Sequence, residues 1–470
     1  MSNLKNKRRK SLIGGVLFIF LSIGVIASVS QFDSIQKIIS QATGKRANFI
    51  VDTQTTIGPI NQSWRNLAQG GESHDWRLAP INNLVQSLNP KYIRIDHIYD
   101  FYDIVQGSPG NIYFNFTKFD LILNDILEVG AKPYISLSYM PPVISQGDIV
   151  QAPYHWNDWQ LTVQKTIEYI SGTRAVEDVY YEVWNEPDLF GDWNYYGAKN
   201  YLTMYTHAAL GARNAQQNPQ VKNFYLGGPS TTTLYKNWFD AMARHAINNN
   251  LKYDFFSWHR YSHNLNILEK DLTQIQSWLA RYPQLAGLEL HVTEWGLDSA
   301  NHPGYDSAYG AAHVVAGAIT LNQLADKAFV FEIQDGKDPN NQVYWGRWGL
   351  LTHQDFGSQP KPRYHGLLML DRISGQQLRL TGQGTWVKAI AARNDRGNIE
   401  LIIANADQHH GNSEIVPITF INIESGNYIL NLEYLDGRRQ TISATATENS
   451  LQTEITMTPN TVVHAELIML

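Results

Sequence analysis

Residues 179–187 read Val-Tyr-Tyr-Glu-Val-Trp-Asn-Glu-Pro. This is a short apolar and aromatic strand that ends in a polar pair, Asn185 and Glu186. Seven other segments share its texture: 48–52, 92–96, 133–139, 224–228, 255–259, 288–294 and 329–333. Longer stretches of helical periodicity, such as 158–171, 201–217 and 309–324, lie between them. Strands alternating with helices are the pattern of a parallel α/β sheet. Eight strands over roughly 320 residues predict a (β/α)8 TIM barrel. A doubly wound open sheet is the alternative, but no G-x-G-x-x-G or P-loop opens any of its helices.

Past about residue 375 the texture changes to alternating apolar residues broken by Gly and Asn, in 385–392, 399–405, 415–423, 428–434 and 462–468. Period-two runs with frequent turn signals predict a C-terminal antiparallel β-sandwich. The expected organisation is a basic flank at 1–10, an apolar segment at 11–32, a linker at 33–47, the barrel at 48–375 and the sandwich at 376–470.

The chain has 470 residues and no Cys, which removes disulfides, thiolate catalysis and Cys-ligated metals together. Its net charge of −6 is unevenly distributed. Lys5, Lys7, Arg8, Arg9 and Lys10 precede residue 11 and no acid occurs before Asp33, so the remaining chain is more acidic than the total. An acidic body argues against a nucleic-acid partner. Residues 11–32 carry no charge. As a helix at ~1.5 Å per residue they would span about 33 Å, enough to cross a bilayer. Basic residues before the span predict a single-pass anchor with the N-terminus in the cytoplasm and the larger part of the chain outside the cell. The alternative is secretion after cleavage near the small residues Ala27, Ser28 and Ser30, but the apolar run exceeds a normal signal core.

Two of the eight strands end in carboxylates. The fourth ends at Glu186, and the seventh, Leu288-Glu-Leu-His-Val-Thr-Glu-Trp-Gly, carries Glu294. Barrel enzymes place their chemistry at the C-terminal ends of strands. Two carboxyl groups facing one cleft can divide labour, one ionised as nucleophile and one protonated as acid, which is what glycosidic bond cleavage requires. Glu182 shares the parity of Glu186 and reads as a buried ion-pair member. His259 and His263 are four residues apart, but on a strand they would lie roughly 13 Å from each other, so no metal site and no cofactor is expected.

Trp184-Asn185-Glu186-Pro187 resembles the acid/base motif of clan A retaining glycoside hydrolases, and Thr293-Glu294-Trp295 resembles their nucleophile strand. Further segments are similar to glycoside hydrolase family 39, the group of β-xylosidases and α-L-iduronidases. They are Tyr92-Ile-Arg94-Ile-Asp96-His97, Lys132 to Pro141, Phe256 to Tyr261, and Gly349-Leu-Leu with Lys361-Pro-Arg-Tyr-His365. The likeness runs in order over roughly residues 50–470. It implies a retaining glycosidase acting on an oligo- or polysaccharide, with Glu186 as general acid/base, Glu294 as nucleophile and Asn185 on the hydroxyl beside the anomeric carbon. Arg94 and Tyr261 would touch the nucleophile. His97 and His259 would join the sugar subsite. An Arg close by would keep Glu294 ionised, while a less polar setting would keep Glu186 protonated. Retention implies carboxyl groups about 5–5.5 Å apart.

The eighth strand departs from the pattern. Many clan A enzymes place a Trp there under the sugar, whereas this chain reads Phe331-Glu332. Trp345 or Trp348 in the next loop would then supply the stacking platform. Trp64, Tyr99, Tyr102, Trp193, Tyr195 and Tyr196 are further stacking candidates. The altered strand also leaves open a catalytically silent carbohydrate-binding protein on the same fold, serving polysaccharide export or adhesion. The residues favour no oligomeric state.

Overall fold

The computed structural model describes residues 44–470 apart from positions 72, 75, 323, 338 and 339. The apolar segment 11–32 lies outside the described residues, and no helix among those described is long and apolar enough to cross a membrane.

Eight parallel strands close into a barrel: Asn66–Gln69, Tyr92–Ile95, Lys132–Leu137, Val179–Val183, Phe224–Thr231, Phe255–Tyr261, Glu289–Gly296 and Lys327–Phe331. Each pairs with the next in chain order, and Val330 beside Leu67 closes the ring. Ala68, Tyr134, Tyr180, Phe255, Phe329 and Phe331 pack together as an apolar cluster drawn from five of these strands. Helices on the outside bury the other face of each strand, so the barrel is a filled core with its chemistry confined to one rim.

Seven of the eight expected strands fall in the barrel, and the expected first one does not. Phe49–Pro59 instead joins the C-terminal sheet, antiparallel to Gln376–Thr381 and parallel to Glu414–Ile421. Its side chains explain this: Phe49 and Val51 are fully buried while Ile50 is 40% exposed. That is the period-two signature of a strand with one wet face, whereas a barrel strand is covered on both. The true first barrel strand, Asn-Leu-Ala-Gln, is buried throughout but has polar ends and no apolar run to announce it. Residues 45–47, expected as linker, are also tied to this domain, through Lys45 to Thr385 and through the Ala47 N–H to Glu414 Oε2.

The C-terminal domain is one nine-stranded sheet. The strands at its two ends, Arg439–Ala446 and Ser450–Met457, are consecutive in the chain, so the sheet curls back on itself around one apolar core. Its pairing is antiparallel except where Phe49–Asp52 runs alongside Ile418–Ile421. Helix Ala308–Asn322 joins the two domains. From Tyr309 onward every residue is buried, because one face packs on the barrel and another on sheet strands Val387–Arg393 and Ile399–Asn405. A helix apolar all round has no solvent face to keep.

Because Phe49 is a core residue of the curled sheet, Phe49→Ala should cost about 3–5 kcal/mol of unfolding free energy. Urea denaturation measures it, and a loss under about 1 kcal/mol would mean that the N-terminal strand is not integral to that core.

Candidate active site

Strand four delivers Glu186 through a tight turn. Trp184 and Glu186 both take left-handed backbone angles, with φ of 75° and 44°, which non-glycine residues adopt only when the surroundings enforce them. The enforcement is visible on each side of the turn. Ser136 Oγ donates to the Trp184 carbonyl at 2.9 Å, and the Glu186 N–H donates to the Ser230 carbonyl at 2.9 Å. The Trp184 indole donates to the Phe190 carbonyl at 3.1 Å. The Glu186 side chain is thereby turned over the barrel mouth towards strands six and seven.

Beneath it sits Arg94, fully buried on strand two. Its Nε donates to Glu182 Oε2 at 2.8 Å, its Nη1 to Glu294 Oε1 at 2.9 Å, and its Nη2 to Asn185 Oδ1 at 2.7 Å. Arg94 is therefore both an internal ion-pair residue and a direct partner of Glu294. Asn185 spends its amide N–H on the Tyr139 hydroxyl at 3.0 Å, which fixes its orientation. Tyr261 donates to the second Glu294 oxygen at 2.8 Å. His259 Nδ1 lies 2.8 Å from Glu186 Oε1 and 3.4 Å from Glu294 Oε2, while its Nε2 meets Ser230 Oγ at 2.8 Å. One oxygen of each glutamate and a ring nitrogen of His259 all lie within 4.8 Å of one another.

Electrostatics here differ from the sequence expectation in one respect. Burial raises Glu294 from its ordinary 4.5 to about 7, and His259 and Arg94 oppose this without cancelling it. The expected Arg is present, but a carboxyl only 6% exposed, with Glu186 and Asp96 nearby, holds its proton more tightly than one salt bridge can offset. Burial by itself would lower His259, yet the charge of Glu294 and the bond to Glu186 outweigh it and raise the imidazole above its usual value.

A cavity of about 600 Å³ opens above these groups. Asn185, Glu186, Tyr261, Glu294 and His97 line it, as expected. His259 and Arg94 are not on its wall: both are fully buried behind the carboxylates, so His259 acts on them and does not face the cavity. Trp345 does not line the cavity either, whereas Trp348 does, beside Phe331 with ring centroids 6.4 Å apart. Glu332 turns away to accept from the Gln69 amide at 2.9 Å and the Gly70 N–H at 3.2 Å. Among the stacking candidates, Trp64, Tyr99 and Trp193 are buried core residues. His259 and His263 belong to separate groupings, the latter with Asp298 and His302.

Asp96, Tyr139, Phe190 and Ser230 complete the site without having been singled out. Of these, only Asp96 carried a readable signal, its place two residues after Arg94 and hence on the same side of the chain.

A closed parallel barrel with two glutamates converging at the C-terminal ends of strands four and seven defines a glycosidase. Residues 48–439 match the sequence model of Glycosyl hydrolases family 39, and the chain belongs to that family. It is 24% identical over 413 residues to a beta-xylosidase of Caldicellulosiruptor saccharolyticus, covering 80% of each chain. To a beta-xylosidase of Geobacillus stearothermophilus it is 23% identical over 363 residues, covering 68% of this chain and 69% of the other. The fold superposes on a monomeric beta-xylosidase from Caulobacter crescentus CB15 with a TM-score of 0.72 at 19% identity, covering 90% of this chain and all of that one. It also superposes on a bacterial orthologue of human α-L-iduronidase with a TM-score of 0.65 at 14% identity, covering 90% and 84%.

The raised Glu294 carboxyl has a consequence for stability. The native state keeps a proton that the unfolded chain releases, so this group's stabilising contribution is present below about pH 4.5 and is lost as the pH rises to about 7. Relative to wild type, Glu294→Gln should therefore gain stability as the pH rises through that window. Urea unfolding at about pH 5 and about pH 8 tests this, and a wild-type-to-variant difference independent of pH would show that Glu294 does not titrate there.

Proposed function

We propose that this glycosidase is retaining and works by double displacement, with Glu294 as nucleophile and Glu186 as general acid/base. The separation of the two glutamates carries the reading. One oxygen of each carboxylate lies within 4.8 Å of the other, which favours the close pairing of a retaining enzyme over the roughly 6.5–9.5 Å separation of an inverting one. Arg94 and Tyr261 donate to different oxygens of Glu294, which orients the carboxylate and stabilises its ionised form. Glu186, held by His259, stands on the cavity wall where a leaving oxygen would arrive.

In the first step Glu294 attacks the anomeric carbon while Glu186 gives its proton to the departing glycosidic oxygen, leaving a glycosyl ester on Glu294. In the second, Glu186 takes a proton from water, the water oxygen attacks the same carbon, and the ester bond to Glu294 breaks. Tyr261 and Arg94 receive the carboxylate back as it leaves. Asn185, pinned by Arg94 and Tyr139, presents its amide to the sugar hydroxyl next to the reacting carbon. The substrate is an oligo- or polysaccharide, and β-xylosides head the sugars to screen because the Caldicellulosiruptor saccharolyticus and Geobacillus stearothermophilus relatives are beta-xylosidases. The basic flank and the uncharged run at 11–32 support a membrane-anchored enzyme with its barrel outside the cell.

A screen of 4-nitrophenyl glycosides, followed by a 2-fluoro analogue of the sugar that is cleaved, should leave a covalent adduct on Glu294. Adduct formation on another residue would displace Glu294 from its role. Glu186→Gln should slow glycosides with alkyl or sugar leaving groups about 100- to 10,000-fold and spare 4-nitrophenyl glycosides, whose leaving group scarcely needs protonation. Equal losses on both would remove Glu186 as the acid. For the anchor, protease added to intact cells should degrade the barrel while the N-terminus stays with the membrane fraction; a protected barrel would rule out export.

A further inference from the structure

The cavity wall holds a third carboxylate that the displacement mechanism does not use. Asp96 follows strand two immediately, is 7% exposed and lines the same cavity as Glu186 and Glu294. Its charge is close enough to raise both the Glu294 carboxyl and the Tyr139 hydroxyl. Among the described residues no other residue donates a hydrogen bond to it, although it is nine-tenths buried. Buried carboxylates normally find donors, so one left open towards a cavity awaits them from whatever fills it.

His97 and Arg94 lie close enough to favour the charged form of Asp96, but among the described residues none of the nearby cations forms a salt bridge with it. Arg260, on the wall, gives its Nε to Asp271 at 2.6 Å. His97, also on the wall, holds Asp100 through Nδ1 at 2.7 Å. Behind the wall, Arg94 is engaged by Glu182 and Glu294, and His259 by the two glutamates. Asp96, Glu182, Glu186 and Glu294 thus share the two buried cations Arg94 and His259, and the cavity presents an excess of carboxylate to its ligand. A sugar ring with only hydroxyl groups can donate to Asp96. A uronate would add a further carboxylate to this wall, where among the described residues each cation already has a carboxylate partner.

We propose, building on the glycosidase reading above, that Asp96 is a specificity-determining residue which accepts hydroxyl hydrogen bonds from an uncharged glycone and, with the neighbouring glutamates, excludes uronic acids. The enzyme is on this account a hydrolase of neutral glycosides. Burial raises the Asp96 carboxyl above its ordinary value, and donation from a bound sugar would favour its charged form, so sugar binding and the Asp96 charge reinforce each other.

The test compares wild type with Asp96→Asn and Asp96→Ser on 4-nitrophenyl β-D-xyloside, β-D-glucoside and β-D-galactoside, and on the β-D-glucuronide and α-L-iduronide. Wild type should cleave a neutral glycoside and neither uronide. Both variants should lose about 10- to 100-fold in kcat/KM on the neutral substrate, as expected for a charge-assisted hydrogen bond. D96N should raise the ratio of glucuronide to glucoside turnover at least about tenfold, a change that simple loss of structure would not produce. Thermal melting of the variants close to that of wild type confirms that both are folded. The proposal fails if kcat/KM stays within about twofold of wild type in both variants, or if wild type turns over a uronide as fast as any neutral glycoside. Wild type inert on every member of the panel and unlabelled by 2-fluoro sugars would overturn the catalytic reading beneath it as well; normal turnover with indifferent variants overturns the Asp96 role alone.

Discussion

A single guanidinium holds this molecule's chemistry and part of its fold in register. Arg94 is fully buried and must satisfy its charge inside the protein. It does so with Glu182 and Asn185 from the fourth-strand segment, Ser230 from the fifth and Glu294 from the seventh. The ends of strands two, four, five and seven are thereby fixed relative to one another. Removing Arg94 would leave Glu182 and Glu294 as buried anions with far less compensation, which costs much more than the ion pair itself is worth. The site inherits its geometry from this constraint, because the Arg94 fork sets where one Glu294 oxygen lies and Tyr261 sets the other.

The parts legible in the sequence were those fixed by place along a strand or by family motif. Glu186 and Glu294 were marked by their place at strand ends and Arg94 and Tyr261 by the resemblance to family 39, while alternation along the strands placed Glu182 and His259 on inward faces. The structure brings the first four of these together. Glu182 meets Arg94 from such an inward face. Less visible were groups whose direction depends on packing around a turn. Ser230 reaches His259 from a residue in the left-handed region, φ 60°, and Tyr139 reaches Asn185 from just beyond the third strand. The platform residue illustrates the same limit. Trp345 and Trp348 are three apart in one loop, and only loop conformation decides that Trp348 meets the cavity. The raised Glu294 carboxyl was hidden because a nearby Arg is readable in sequence whereas the depth of burial is not.

The misplaced first strand shows how one pattern can serve two architectures. Residues 48–52 had the right length and apolarity for a barrel strand, but their alternation belonged to a sheet with a wet face. The fold gains by this, since chain from both ends is woven into one domain. Helix Ala308–Asn322, buried between barrel and sheet, makes the association permanent. Separating the two would expose an apolar helix.

That weave also has a mechanical meaning. Phe49–Pro59 lies between two strands, Gln376–Thr381 on one side and Glu414–Ile421 on the other, and is bonded to both. Tension drawn along the chain from its N-terminal side would load these two ladders lengthwise, so that their hydrogen bonds resist together in shear and do not peel one at a time. The curled sheet is therefore a strain relief between whatever precedes residue 44 and the catalytic mouth.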